Sequence, residues 1–151
     1  MKRSERIGRI ANINQSFENV AGASLSAAQA QYQNELNQLE QLKVYRNDYQ
    51  SMLKERMKLT VSPKEMQDYQ YFFSSLEIAI TQQEEVVNQC LQEMDSSKQN
   101  WLGKHMDTQK MYKVKENLKS EETEAECKKE IEELNEINQS RYNSESKHSH
   151  H

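Results

Sequence analysis

The side chains that could do covalent or acid–base chemistry are few and far apart in this sequence. Cys90 and Cys127 lie in separate stretches of helical pattern, with no Cys-x-x-Cys or Cys/His spacing around either. We therefore expect reduced thiols, neither a disulfide nor a zinc site. Glu84 and Glu85 are adjacent carboxylates, but general acid–base catalysis needs a cleft that can shift a carboxyl pKa. We interpret them as a solvated pair and expect no catalytic residue.

Four histidines could in principle bind a transition metal. His105 is interpreted as a surface or seam-edge residue, and His148, His150 and His151 as part of a terminal tail. The three glycines are far apart and none follows a strand pattern, so no phosphate-binding loop is present. We expect no metal site, no cofactor and no enzymatic activity.

The composition predicts few and long secondary-structure elements. The 151 residues include only three glycines and one proline, and the hydrophobic share of 34% against 29% charged is too low for a thick core. A thin seam between helices can still be filled. No run of about 18 apolar residues could span a bilayer, and the start MKRSERIGRIANINQ lacks the apolar stretch of a secretory signal. We expect a cytoplasmic protein.

The charge distribution argues against nucleic acid as the main partner. The net charge is −4, and residues 1–60 carry nine Lys/Arg against six Asp/Glu. The rest of the chain is therefore the strongly acidic part, which a phosphate backbone would repel.

One long helix is predicted over residues 4–58, because no proline interrupts this segment and apolar residues recur at spacings of three and four. The only strong break is residues 59–62. Ser62 can cap a new helix, Pro63 fits its first position, and Glu65 completes a capping box. A second helix is predicted over residues 63–138. Such a short connection favours antiparallel neighbours.

The second helix carries a strict seven-residue apolar repeat, which is typical of a left-handed coiled coil. The predicted core positions are Met66, Phe73, Ile80, Val87, Met94 and Trp101. Tyr69, Leu76 and Cys90 follow three residues after some of these. A turn centred near residues 60–61 would place Tyr49 opposite Phe72, Leu42 opposite Ala79, and Val20 opposite Trp101, with Gly22 and Ala23 giving the indole room.

In the same register the start of the first helix lies opposite Lys119. The residues after Lys119 therefore have no partner within the hairpin and are predicted to overhang. Ile131, Leu134 and Ile137 keep helical spacing there, and residues 139–151 are predicted to be a disordered tail. The expected fold is therefore all-α: a single coiled-coil domain over residues 1–151, built as a long two-helix antiparallel hairpin with an overhanging C-terminal helix.

Aromatic residues crowd near the predicted turn, where Tyr69, Tyr71, Phe72 and Phe73 fall within five positions. They cannot all face one partner helix, so some are candidates for a protein contact. Two stripes with the same four–three–four spacing could meet in antiparallel packing. They are Gln38, Leu42, Tyr45 and Tyr49 on the first helix and Phe72, Leu76, Ala79 and Gln83 on the second. Periodicity alone does not separate a binding surface from an ordinary seam.

These segments resemble the FliJ family of flagellar type III export proteins. The resemblance is carried by QLEQLKVYRNDYQSML, by VSPKEMQDYQYFFSSLEIAITQQ and by Trp101 in a Lys-rich helix, and it is strongest from Asn34 to Trp101. It implies a stalk in the pore of the hexameric flagellar export ATPase that promotes ring assembly, escorts export chaperones and touches the cytoplasmic ring of the membrane export gate. Association with the inner membrane would be peripheral, through these partners.

The resemblance also assigns a role to the two stripes, since the family's gate-contacting surface maps onto these same eight residues. Gln83 departs from a histidine found in a better-studied relative. By the same analogy the open end, with Ile7, Ile10, Trp101 and the helix beyond Lys104, would enter the ATPase pore. The alternatives are the equivalent stalk of a virulence-type injectisome and an unrelated coiled-coil adaptor or dimer.

Overall fold

The structure, a computed structural model, describes residues 1–149, with side chains through Lys147. Helix α1 spans Arg3–Met57 and helix α2 spans Pro63–Ser149, and no strand occurs in this part of the chain. The prediction of an all-helical chain built from two long, mutually packed helices is confirmed. Helix α2 includes residues 139–149 of the segment predicted to be a disordered tail. His150 and His151 lie outside the described residues.

The break between the helices is closed by local hydrogen bonds. The backbone N–H of Glu65 donates to Ser62 Oγ at 3.2 Å, and that of Met66 donates to the Ser62 carbonyl at 3.1 Å. Ser62 is thus the predicted N-cap of α2. At the end of α1 the N–H groups of Lys58 and Leu59 donate to carbonyls three residues back. This tightened last turn provides hydrogen-bond donors for carbonyls that would otherwise lack a partner at the helix end.

The chain divides into two compact units. The turn unit comprises Phe17–Lys104. Within it the ring centroids of Tyr49 and Phe72 lie 4.7 Å apart, and a Cβ atom added at Gly22 would lie 3.4 Å from Trp101 Nε1. Both contacts match the predicted register and make the two helices antiparallel in this unit. Its core is a cluster formed by Leu39, Ile80 and Val87, with Tyr32, Leu36 and Leu42 packed against it.

The terminal unit comprises Met1–Ser16 and the chain from His105 onward. Glu122 accepts two hydrogen bonds from Ser4, one from its backbone N–H at 3.1 Å and one from Oγ at 2.6 Å. Tyr112 Oη donates to Asn12 Oδ1 at 3.3 Å. The helices are therefore antiparallel here too. From Thr123 to Glu145 every residue is exposed.

The buried positions follow a seven-residue spacing that continues past the apolar residues. On α2 the series that begins at Met66 goes on through Thr108, Lys115 and Glu122, all buried or half-buried. On α1 an equivalent series of buried or half-buried residues is Ser4, Ala11, Glu18, Leu25, Tyr32, Leu39, Arg46 and Leu53. Several of these side chains are polar, which explains why the apolar pattern of α1 is irregular.

Candidate protein-binding surface

An aromatic cluster formed by Tyr45, Tyr49, Tyr69 and Phe72 lies close to the turn. Phe72 is at its centre, with ring centroids 4.7 Å from Tyr49 and 6.2 Å from Tyr45, and interplanar angles of 62° and 81°. Tyr69 meets Tyr49 at 6.5 Å and 71°. All three pairs have the edge-to-face geometry that aromatic quadrupoles favour. The cluster therefore packs rings of α1 edge to face against rings of α2.

The cluster is open to solvent on one side. Tyr45 is 52% exposed and Phe72 is 39% exposed, whereas Tyr49 is half-buried. Burial raises the pKa of Tyr49, and the neighbouring Tyr69 and Tyr45 raise it further. The phenol of Tyr49 thus stays neutral and available as a hydrogen-bond donor. Tyr71, on another face of α2, is 77% exposed and lies outside the cluster.

Polar pairs also link the two helices of the turn unit. Arg46 forms an ion pair with Glu77 at 3.5 Å. Gln83 Nε2 donates to the Glu35 carboxylate at 2.6 Å and to the Glu35 carbonyl at 3.0 Å. Sequence reasoning did not identify these pairs. A search of the predicted register for facing residues with opposite charges or complementary hydrogen-bonding groups could have found them.

The eight residues assigned to the gate-contacting surface differ in accessibility. Gln38, Tyr45 and Phe72 are exposed. Leu76 is only 7% exposed, so its side chain packs inside the turn unit. The four half-buried members are Leu42, Tyr49, Ala79 and Gln83. The structure brings Tyr45, Tyr49 and Phe72 into direct contact.

The six residues assigned to the coiled-coil core also differ. Ile80 and Val87 are buried. Met66, Phe73, Met94 and Trp101 are half-buried. Lys104 Nζ lies 5.9 Å from the ring centroid of Phe17, which is itself exposed. A lysine at this distance contributes a weak cation–π attraction at a solvent-exposed site.

The groups considered for chemistry are not gathered into a reactive site. Both cysteines are free thiols. Cys90 is buried, and burial, together with Glu93 and Glu35, raises its pKa, which disfavours the nucleophilic thiolate. The described residues contain no group of three or more His, Cys, Asp or Glu that could hold a metal ion. In the same residues no helix combines the length and apolar character of a membrane span.

Comparison with known proteins places the chain in a family. The family model described as the flagellar FliJ protein matches residues 3–147. No curated protein and no solved structure matched the chain. The match covers nearly the whole sequence, including the aromatic cluster and the exposed part of α2. The chain therefore belongs to the flagellar FliJ protein family, whose members are non-catalytic components of flagellar type III export.

Proposed function

We propose that this protein is the stalk of the flagellar export ATPase, folded as an antiparallel coiled-coil hairpin with an overhanging C-terminal helix. It sits in the hexameric ATPase ring and promotes its assembly, contacts the cytoplasmic ring of the membrane export gate, and escorts export chaperones. It acts in the cytoplasm and reaches the inner membrane only through these partners. Its contribution to bacterial motility is mechanical and organisational, not catalytic.

The observation that carries the gate contact is the exposure of the aromatic cluster. Binding hot spots are enriched in aromatic side chains that a partner desolvates, and rigid rings lose little conformational entropy on binding. Tyr45 and Phe72 offer such rings on one surface, each from a different helix. A partner that covers both rings would therefore depend on how α1 packs against α2.

Differences in burial narrow the set of residues that we propose to contact the gate directly. Leu76 is buried, so it supports the surface from beneath. Gln83 is held by Glu35 and reaches a partner only if that hydrogen bond is exchanged. The proposed contact surface is therefore led by Tyr45 and Phe72, with Tyr49 packed against Phe72. Gln38, Leu42 and Ala79 form its margin.

The ATPase contact is assigned to the other part of the chain. In the terminal unit the helix beyond Lys104 and the first residues of α1 carry the polar hydrogen bonds Ser4–Glu122 and Asn12–Tyr112. This assignment rests on the family and on the distance in sequence from the aromatic cluster.

The test is co-purification with two partners measured separately, the flagellar export ATPase and the soluble domain of the export gate. The Tyr45→Ala/Phe72→Ala variant is expected to lose the gate interaction and keep the ATPase interaction. The matched control is Tyr71→Ala/Ile78→Ala, which removes two exposed apolar side chains outside the cluster. The control should bind both partners like the wild type.

Circular dichroism of each variant gives the helical content and separates a binding defect from unfolding. Equal gate binding by the wild type and the Tyr45/Phe72 variant would contradict the proposed surface. Failure of the wild type to bind either partner would contradict the stalk function itself.

A further inference from the structure

The start of α1 is held against α2 mainly by polar contacts. Among the described residues of the terminal unit, the buried positions are Ser4, Gly8, Ala11 and Thr108, and none of them carries a large apolar side chain. The turn unit, in contrast, contains a cluster of large apolar side chains. Because apolar burial is the main favourable term in packing, the two helices are held together more weakly in the terminal unit.

Ser4 and Glu122 form the strongest contact of this segment. The Ser4 backbone N–H and Oγ donate to the two carboxylate oxygens of Glu122, at 3.1 Å and 2.6 Å. Lys2 and Arg3 add favourable charge interactions with the same carboxylate. Hydrogen bonds to an ionised acceptor are stronger than those between neutral groups. Since Ser4 lies in the first turn of α1, this contact holds the end of the helix on α2.

The other polar contacts of this segment are weaker. Tyr112 Oη donates to Asn12 Oδ1 at 3.3 Å in a solvent-exposed hydrogen bond. The methylenes of Lys115 lie against Gly8, where an added Cβ atom would be 3.2 Å from Lys115 Cε. A lysine stem is flexible and keeps its ammonium in water when it moves. Neither contact is expected to keep the segment in place once the hydrogen bonds between Ser4 and Glu122 break.

We propose that residues 3–16 of α1 form a strap that detaches from α2 as a unit while the turn unit stays folded, and that the Ser4–Glu122 contact is its latch. A short helical end without a packing partner is marginally stable in water, so the backbone hydrogen bonds of the strap open when it leaves α2. Detachment uncovers Val114 and Leu118 of α2, which line a groove together with Ile7 of the strap. A ligand that binds only one of the two states would shift the equilibrium between them. The proposal does not depend on the export function.

The latch requires an ionised Glu122. The charged groups around this carboxylate are Lys2, Arg3, Glu5 and Arg9 on α1 and Lys115 and Lys119 on α2. Positive charge predominates among them, which favours the carboxylate over the neutral acid. The hydrogen bonds from Ser4 lower the pKa of Glu122 below its ordinary value. The latch is therefore closed at neutral pH and weakens as the pH falls through that lowered pKa.

Hydrogen–deuterium exchange of the full chain, measured by mass spectrometry at neutral pH, tests the strap. In Glu122→Gln the amides of residues 3–16 are expected to exchange about tenfold faster than in the wild type, whereas residues 30–50 in the turn unit should exchange at the wild-type rate. Circular dichroism checks that the variant keeps its helices. Equal exchange of residues 3–16 in both proteins would overturn the proposal. Acceleration spread evenly over the whole chain would overturn it too, because the strap would then not open separately.

The matched control is Glu121→Gln, which removes the same charge from the neighbouring exposed residue. It should exchange like the wild type, and equal acceleration in this control would overturn the latch by showing that net charge governs the opening. Ser4→Ala should accelerate the same amides, and combining it with Glu122→Gln should add little, because both substitutions remove one contact. Fully additive effects would show that the two side chains act separately, and would overturn the latch.

A comparison across pH tests the dependence on ionised Glu122. After correction for intrinsic amide exchange rates, the wild type and Glu122→Gln should converge as the pH falls through the folded-state pKa of Glu122. A tenfold difference that persists in acid would overturn this dependence.

Discussion

Replacing Gly22 by alanine is expected to stabilise the protein. Gly22 lies inside α1, where alanine is favoured over glycine by about 1 kcal/mol through helix propensity. The new Cβ atom would lie 3.4 Å from Trp101 Nε1 and 3.5 Å from Trp101 Cδ1. These are ordinary van der Waals distances, so the gain is not offset by a clash. For a chain of this size about 1 kcal/mol corresponds to a rise in Tm of about 2–4 °C.

The assay is thermal and urea unfolding followed by circular dichroism, with two reference variants. Gly103→Ala has the same propensity gain in a place where an added Cβ meets no atom within 4 Å. It should stabilise the chain by a similar amount. Gly22→Leu should destabilise it, because a branched side chain does not fit beside the indole.

The two alanine variants together show whether Gly22 has room for a side chain next to Trp101. If Gly103→Ala stabilises the chain and Gly22→Ala destabilises it, the indole of Trp101 lies closer to residue 22 than the 3.4 Å between the added Cβ atom and Nε1. If neither changes Tm, the helices are not formed around these positions. Tryptophan fluorescence reports on the first outcome directly, since Trp101 is the only tryptophan in the chain.

Four further substitutions test the contributions of burial, helix capping and an interhelical hydrogen bond to stability. Leu76→Ala, at a buried site, should lower the free energy of unfolding by about 2–4 kcal/mol, whereas Tyr45→Ala should lower it by about 1 kcal/mol or less; urea unfolding compares the two. Ser62→Ala should cost about 1 kcal/mol in the same assay, because it removes the N-cap of α2. Hydrogen bonds from Ser4 lower the pKa of Glu122, with Lys2 and Arg3 adding to this effect. The stability that this lowered pKa provides is present above the unfolded-state pKa of about 4.3 and is lost as pH falls through the folded-state value. Glu122→Gln should therefore be less stable than wild type at neutral pH, and the difference should vanish in acid.

The two long helices and the contacts near the turn could be predicted from the sequence. Scarcity of glycine and proline left only one place for a break, and Ser62 with Pro63 marked where α2 starts. Once the turn is fixed, antiparallel helices leave little freedom in register. The contact between Tyr49 and Phe72, and the fit of Gly22 against Trp101, follow from that constraint.

Polar seam positions could not be predicted in this way. Thr108, Lys115 and Glu122 continue the seven-residue series, but an apolar pattern stops at Trp101. Thr108 is fully buried, which its residue type does not signal. The polar contacts Ser4–Glu122 and Glu35–Gln83 depend on facing partners on the other helix, so neither helix reveals them alone.

Burial also separates residues that the sequence placed in one stripe. Phe72 and Leu76 are one helical turn apart and have the same periodicity, yet Phe72 is partly exposed and Leu76 is buried. Position in the seven-residue repeat explains the difference. Leu76 follows the seam residue Phe73 by three positions and is itself a seam residue, whereas Phe72 precedes Phe73 by one position and lies at the flank of the seam.

The difference in burial between Phe72 and Leu76 means that the turn unit can bind a partner through residues other than those that hold its fold. The register of α1 against α2 is fixed by the Leu39–Ile80–Val87 cluster and by the Arg46–Glu77 and Glu35–Gln83 pairs. A one-turn slip would break both polar pairs and leave a half-buried amide and carboxylate with poorer partners. The rings of Tyr45 and Phe72 are therefore presented at a fixed spacing by residues other than themselves. Substitutions at these rings should change affinity, and substitutions at the polar pairs should change stability and register first.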